Sequence, residues 1–200
     1  QFVVVAAAEG IKAALAINPQ LKVMASPWSA PGWMKDSGSL IKGTLRSDAS
    51  DDLARYLVRY VDAMAAEGVP VFALTLQNEP AFEPGDYPGM RLDAAQRIKV
   101  IHALGPMLAA RTQPVAILDW DHNWDHPEQP TTVLSDPVAN RYVAGVAWHC
   151  YGGLATMSAL HTLNPSVDQI VSECSPGIIP YSASALVRPL RTASPTTNVE

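Results

Sequence analysis

The sequence predicts an α/β protein built on a parallel sheet, and three observations carry that expectation. Helix-like stretches alternate with compact β-branched runs, and no tandem hairpins occur. The run from Val69 to Leu76 is apolar on consecutive residues, as a strand covered on both faces must be. The residues best suited to chemistry fall just past the ends of the runs, which in a parallel sheet is one common edge.

Ala7 to Ile17 reads as a helix and Leu21 to Ala25 as the strand after it. Ser50 stands where an N-cap belongs, and Asp51 and Asp52 complement the dipole of the helix they begin. Leu53, Tyr56, Leu57, Tyr60, Val61 and Met64 then share one face of a 3.6-residue period. Gly68 and Pro70 end that helix, and Val69 to Leu76 is the second strand. Asp93 with Gln96 forms a capping-box pattern for the next helix, which Gly105-Pro106 should kink or break. Val115 to Leu118 is the third strand. Asp136 and Pro137 form an N-cap and N1 pair leading to Val143. Val146 to Cys150 and Gln169 to Ser172 complete five strands, and no convincing strand follows Pro176.

With 200 residues, 48% of them hydrophobic and 16% charged, the chain has material for one packed domain, and disorder is not expected. A net charge of −5 leaves no basic face, which argues against a nucleic-acid partner. No apolar run approaches the roughly 18 residues of a membrane span. The opening Gln1 to Gly10 is apolar but lacks the basic leader of a signal peptide and an initiator Met, so the chain is expected to start inside a longer protein. Cys150 and Cys174 follow neighbouring strands and either pair or remain buried thiols, the more common state at such positions. The redox compartment stays open.

The strand ends carry Ser26-Pro27-Trp28, Gln77-Asn78-Glu79-Pro80, Asp119 to Trp124, His149 to Gly153, and Glu173-Cys174-Ser175. Cleaving a glycosidic bond takes two carboxyl groups, one to protonate the leaving oxygen and one to attack the anomeric carbon or activate water. Glu79 and Glu173 are the glutamates set directly at strand ends, with two strands between theirs, so they would face each other across a barrel mouth.

At this point a resemblance becomes specific. Ala25-Ser-Pro-Trp28, Leu76-Gln-Asn-Glu-Pro80, Asp121-His-Asn-Trp-Asp125, His149-Cys-Tyr-Gly-Gly153 and Ser172-Glu-Cys-Ser175 together resemble glycoside hydrolase family 30, the glucosylceramidase and β-1,6-glucanase family. The resemblance implies a (β/α)₈ TIM barrel, of which this chain holds strands 3 to 7 with their helices, as one incomplete catalytic domain without the family's accessory β-domain. It implies Glu79 as acid/base and Glu173 as nucleophile of a retaining reaction. Asn78 would hold the sugar 2-hydroxyl and Trp28 would wall the glucose pocket. His149 and Tyr151 would sit near the nucleophile, and Asp121 would contact the sugar from the strand-5 rim. A β-glucoside or β-glucan would be the substrate, with glucosylceramide ahead of a β-1,6-glucan and an inactive, at most sugar-binding, barrel fragment as the alternative from another class. No cofactor is implied, and the setting is secreted or extracytoplasmic. As acid, Glu79 should have a raised pKa. Nothing in the sequence fixes an oligomeric state.

Blander readings compete at several of these positions. Trp33 and Trp124 fit packing or a loop lid, and Trp148 fits the core. Asp121, His122, Asp125 and His126 are metal-ligand types at close spacing, but hydrogen bonding in a rim loop is the better reading and no metal is expected. His102 and His161 fall in helices and should be structural or exposed. A Cys150–His149 nucleophile pair is disfavoured because strand neighbours point to opposite faces.

Overall fold

The structure, a computed structural model, describes residues 5–175. The helix expected between Pro176 and Glu200 lies outside the described residues. Five strands, β1 (Val23–Ala25), β2 (Val71–Thr75), β3 (Ala116–Asn123), β4 (Val143–His149) and β5 (Asp168–Glu173), form one sheet in sequence order. Every pairing is parallel, with Ala73 beside Ala116 and Trp148 beside Val171. Six helices alternate with them: α1 (Val5–Ile17), α2 (Ser50–Ala66), α3 (Ala94–Ala109), α4 (Glu128–Leu134), α5 (Pro137–Tyr142) and α6 (Met157–Leu163). The result is a curled half of a (β/α)₈ barrel. No helix among the described residues is long and apolar enough to cross a membrane.

Pleating sorts the strand side chains between two surroundings. Ala25, Leu74, Trp148 and Val171 join the large core beneath the helices, together with Leu53, Leu57 and Val61 of α2 and Ile101 and Leu104 of α3. Met24, Ala73, Leu118, Ala147 and Ile170 form a separate, smaller cluster on the concave side. One pleat further along each strand, the concave residues are Ser26, Thr75, Asp121, His149 and Ser172. An apolar layer therefore lies beneath a polar one, the layered arrangement of a barrel interior.

Local chemistry explains most boundaries. Asp93 and Gln96 complete both arms of the capping box on α3. Asp136 caps α5 through the backbone N–H groups of Val138 and Ala139, with Pro137 in the first turn. On α2 the N-cap is Ala49 rather than Ser50, without a side-chain cap. Helix α3 runs unbroken through Gly105-Pro106. Gly105 is required there because a Cβ would collide with the Tyr142 ring of α5, and Pro106 forfeits only one helical hydrogen bond near the end of a well-packed helix.

The stretch expected to be a loop after the third strand is strand. β3 continues through Asp119–Asn123, with a register shift between Trp120 and His122. Trp120 and Asp121 both have positive φ, at 72° and 56°. Simple alternation would place Asp119 and Asp121 on the same face. The bulge breaks it, as bulges beside sites often do. Asp119 points outward to a buried ion pair with Arg97 of α3 at 2.9 Å, while Asp121 turns inward. Arg97 also donates to the carbonyls of Leu92 and Gln129, so this one guanidinium ties the rim segments after β2 and β3 to the barrel wall.

Cys150 and Cys174 form a disulfide, their Cα atoms 5.1 Å apart, so the reading of buried free thiols is corrected. The pairing follows from register: the Cys150 N–H bonds the carbonyl of Glu173, which places the two following residues side by side. The bridge closes a separation of 24 residues, for which loop entropy predicts about 3 kcal/mol of stabilisation. In a closed-barrel protein carrying these residues, Cys150→Ser/Cys174→Ser is therefore expected to lower the urea midpoint, with a larger m-value because the released unfolded chain exposes more surface. An unchanged midpoint would mean that the bridge adds no stability.

Candidate active site

The five strand ends are tied together by backbone before any side chain is considered. The Asn78 N–H bonds the Pro27 carbonyl at 2.8 Å, and the Glu79 N–H bonds the Asp121 carbonyl at 3.0 Å. The Trp124 N–H bonds the His149 carbonyl, and Cys150 bonds Glu173 as above. Gln77, fully buried, adds side-chain donations to the carbonyls of Trp28 and Asn78. Glu79 has φ of 48°, a left-handed conformation that a β-carbon disfavours by about 1 kcal/mol or more. Neighbours on both sides hold it there: its carbonyl accepts from Phe82, and the Pro80 carbonyl accepts from Leu92.

Asp121 is the hub of the polar layer. Its Oδ2 accepts from the hydroxyls of Ser26 and Thr75, and its Oδ1 accepts from Ser172 at 2.6 Å and lies 3.3 Å from His149 Nε2. One residue at each of the other four strands therefore converges on this carboxylate. Asp121 is 1% exposed and its oxygens are occupied by protein donors, so it does not face the cleft. Burial alone would raise its pKa, but the bonds from His149, Ser172 and Ser26 outweigh that and hold it below the usual value.

His149 stands between this hub and the two glutamates. Its Nδ1 is 3.1 Å from Glu79 Oε1 and 3.9 Å from Glu173 Oε1. Glu79 bonds this nitrogen and Glu173 lies just beyond bonding range of it, so their Oε1 atoms can be no further apart than those two distances combined. Burial would push the imidazole pKa down, but the bonds to Asp121 and Glu79 and the charge of Glu173 prevail and raise it to about 9. At neutral pH the ring is an imidazolium flanked by carboxylates. His122 is the second histidine here, its Nδ1 3.7 Å from Glu79 Oε1 and without a hydrogen-bond partner. Burial lowers its pKa first, so it is the neutral member of the pair.

The expected raised pKa of Glu79 is overturned. The hydrogen bond from His149 holds Glu79 below its ordinary value, against the opposing effect of burial. Two side chains remain open to the cleft, Glu79 at 22% and Glu173 at 39% exposure, beside the sealed His149. Asn78 is half-buried next to Glu79. Trp28 is exposed and lies against Tyr87, ring centroids 5.6 Å apart, in a shallow pocket also lined by Asn78, Glu79 and Phe82. The Tyr151 hydroxyl accepts from the Ser175 N–H, and its ring lies edge-on to His149. Sequence reasoning missed Thr75 and did not foresee what Ser26, Gln77, His122 and Ser172 do. Their signal was positional, polar residues one pleat below the rim on the concave face.

The remaining readings resolve in the same geometry. Glu79, His122 and His149 bring one nitrogen or oxygen each within 4.8 Å of one another, a cluster size that admits a metal ion. Within the cluster His149 Nδ1 and Glu79 Oε1 are hydrogen-bonded to each other at 3.1 Å. Asp125 and His126 stand apart from the cluster: Asp125 accepts from Gly153, and His126 is exposed beside Glu128. Trp124 and Trp148 are buried and Trp33 is exposed. His102 pairs with Asp136 at 2.8 Å on the surface. His149 faces the concave side while Cys150 packs into the helix-side core, which removes the Cys–His pair.

A half-barrel with paired glutamates at the C-terminal ends of its strands defines the class, a glycoside hydrolase catalytic domain. Residues 8–185 match the model of the glycosyl hydrolase family 30 TIM-barrel domain, and the chain belongs to that family of O-glycosyl hydrolases. It is 38% identical over 179 residues to the endo-1,6-β-D-glucanase neg1 of Aspergillus fumigatus, covering 79% of this chain and 36% of that protein. It is 33% identical over 174 residues to the lysosomal acid glucosylceramidase of Mus musculus, covering 78% and 33%. A solved endo-β-1,6-glucanase superposes with a TM-score of 0.76 at 32% identity, covering 82% of this chain and 39% of that one. The chain thus spans about a third of the length of these relatives.

Proposed function

We propose that these residues form the catalytic centre of a retaining β-glucoside hydrolase, with Glu173 as nucleophile and Glu79 as acid/base. The observation that carries the reading is the single imidazole nitrogen that both carboxylates approach. Retaining enzymes hold their carboxyl groups about 5 to 5.5 Å apart, whereas inverting ones need roughly 6.5 to 9.5 Å to admit a water. The reach of one nitrogen bounds the two Oε1 atoms below most of the inverting range, and the membership of family 30 supports retention. Glu173 attacks the anomeric carbon while Glu79 protonates the leaving oxygen, and water then releases the sugar with Glu79 as base. Asn78, beside Glu79, is placed to hold the sugar 2-hydroxyl, and Trp28 to stack on the ring. His149 and Asp121, expected to touch sugar, act from beneath the site instead.

The chain supplies the central five strands of one closed barrel in this reading, a single catalytic domain. Its substrate is a β-glucan ahead of glucosylceramide, the reverse of the order expected from the motifs. Beyond Trp28, the exposed rings of Phe82 and Tyr87 flank Glu79, where the leaving group must lie. Flat aromatic faces suit a sugar leaving group, and the relatives include an endo-1,6-β-D-glucanase at the higher of the two identities given above. An extracytoplasmic setting fits the disulfide. In a closed-barrel protein carrying these residues, turnover on a β-1,6-glucan should exceed that on glucosylceramide, and the first product seen by proton NMR should be the β-anomer. An α-anomer first would rule out retention, and preference for the lipid would reverse the substrate order.

A further inference from the structure

Two buried groups beneath the site have no role in the two-glutamate scheme as it stands. His149 is fully buried and cannot touch the sugar, yet it is the one imidazole bonded to Glu79. Asp121 is equally buried, and one donor from each of the other four strands fills its acceptor sites, so it is held in place without touching the sugar. The scheme also carries a difficulty. Glu79 must hold a proton to act as acid, while its surroundings favour the carboxylate.

We infer that the proton given to the leaving group is stored on His149, as the middle of an Asp121–His149–Glu79 relay in which His149 and Asp121 are positioning residues and Glu79 alone meets the substrate. The inference rests on the assignment of Glu79 as acid/base. Its geometry is linear in chemical terms: Asp121 Oδ1 to His149 Nε2 at 3.3 Å, then His149 Nδ1 to Glu79 Oε1 at 3.1 Å. Among the described residues, the groups facing the ring are these: β3 presents Asp121 and the neutral His122, the segment after β2 presents Glu79, β5 presents Glu173, and the segment after β4 presents the Tyr151 ring edge. Three carboxylates against one imidazole favour the cation. His122 also faces Glu79, but its Nδ1 makes no hydrogen bond and burial prevails over the nearby carboxylates, so it is not the store.

The steps balance. As the glycosidic C–O bond breaks, its electron pair stays on the leaving oxygen, the Nδ1 proton of His149 passes to the Glu79 carboxylate, and Glu79 hands a proton to that oxygen, so that Glu79 ends the step again a carboxylate. Glu173 forms the new bond to the anomeric carbon. His149 is left neutral, with its Nε2–H held by Asp121. In the second half water attacks the anomeric carbon, the bond to Glu173 breaks, and the water proton returns through Glu79 to Nδ1. One proton leaves with the alcohol and one arrives with water.

The relay is read in two ways, in a closed-barrel protein carrying these residues. With histidine labelled in ¹³C and ¹⁵N, NMR should show His149 doubly protonated at neutral pH and titrating near 9, with that midpoint falling in Asp121→Asn. Titration near 6.5 in the wild type, the ordinary value, would overturn the inference without any activity assay. Kinetically, His149→Gln should slow an alkyl β-glucoside by about 10²-fold or more, the usual weight of acid catalysis. It should slow a 2,4-dinitrophenyl β-glucoside by less than about tenfold, since that leaving group needs no proton. The alkaline limb of kcat/KM should move to lower pH in the same variant. Equal losses on both substrates would mean a merely structural role and overturn the relay. Glu79→Gln is the control: if it too shows no dependence on the leaving group, the assignment of Glu79 itself fails.

Discussion

Replacing Glu173 by Gly in a closed-barrel protein carrying these residues is expected to remove turnover by roughly 10⁴-fold or more, as loss of a covalent nucleophile does elsewhere. Added azide should then enter from the face that Glu173 vacates and give the α-glycosyl azide. Glu79→Ala should behave differently. Substrates with poor leaving groups should lose about 10²- to 10⁴-fold, while activated aryl glucosides keep a large share of turnover in the first step. Azide should restore their second step and give the β-azide, because the glycosyl group still sits on Glu173. The physical basis is that the two glutamates come from separate places on the rim, one after β2 and one at the end of β5, so that in the proposed scheme they meet the sugar from different sides. If the azide products come out with the opposite stereochemistry, the two roles are exchanged.

The second large effect concerns the barrel itself. A protein made of these 200 residues alone is expected to aggregate and to show no glucosidase turnover. Among the described residues β1 pairs only with β2, and β5 only with β4, so both outer edges of the sheet are open. Val23–Ala25 carries no charge, and β5 is charged only at its ends, Asp168 and Glu173. Such edges pair readily with other chains. The concave cluster of Met24, Ala73, Leu118, Ala147 and Ile170 also lacks the opposite wall that fills a closed barrel. The glutamate pair would persist, but a sugar would be held from one side. Size-exclusion chromatography with an aryl β-glucoside assay decides this. A monomer with turnover that Glu173→Gln abolishes would show that the open half suffices.

Much of this architecture was legible in the sequence because it rests on local chemistry. The capping box of Asp93 and Gln96, the cap of Asp136, the face of α2 and the Asn-Glu-Pro turn after β2 each involve residues a few positions apart. What was not legible depends on residues far apart in the chain. The inward turn of Asp121 requires the bulge at Trp120, and no strand periodicity signals a bulge. The disulfide depends on the register between β4 and β5. The unbroken α3 depends on the Tyr142 ring of α5 lying over Gly105. The depressed pKa of Glu79 depends on a histidine 70 positions away, whose own charge is set by an aspartate reached from four strands. Glu79 and Glu173 could be found by their place at strand ends, whereas the shell beneath them becomes visible only when the strands are curled together.

The account turns on Glu173 forming a bond to the sugar, and trapping that bond tests it most directly. Incubation of a closed-barrel protein carrying these residues with 2,4-dinitrophenyl 2-deoxy-2-fluoro-β-glucoside, followed by peptide mass mapping, should place one fluoroglucosyl group on the peptide containing Glu173, and on none in Glu173→Gln. The adduct should be lost on standing with a sugar acceptor as activity returns. A label on any other residue, or full turnover without a trapped species and with the α-anomer as first product, would contradict the account.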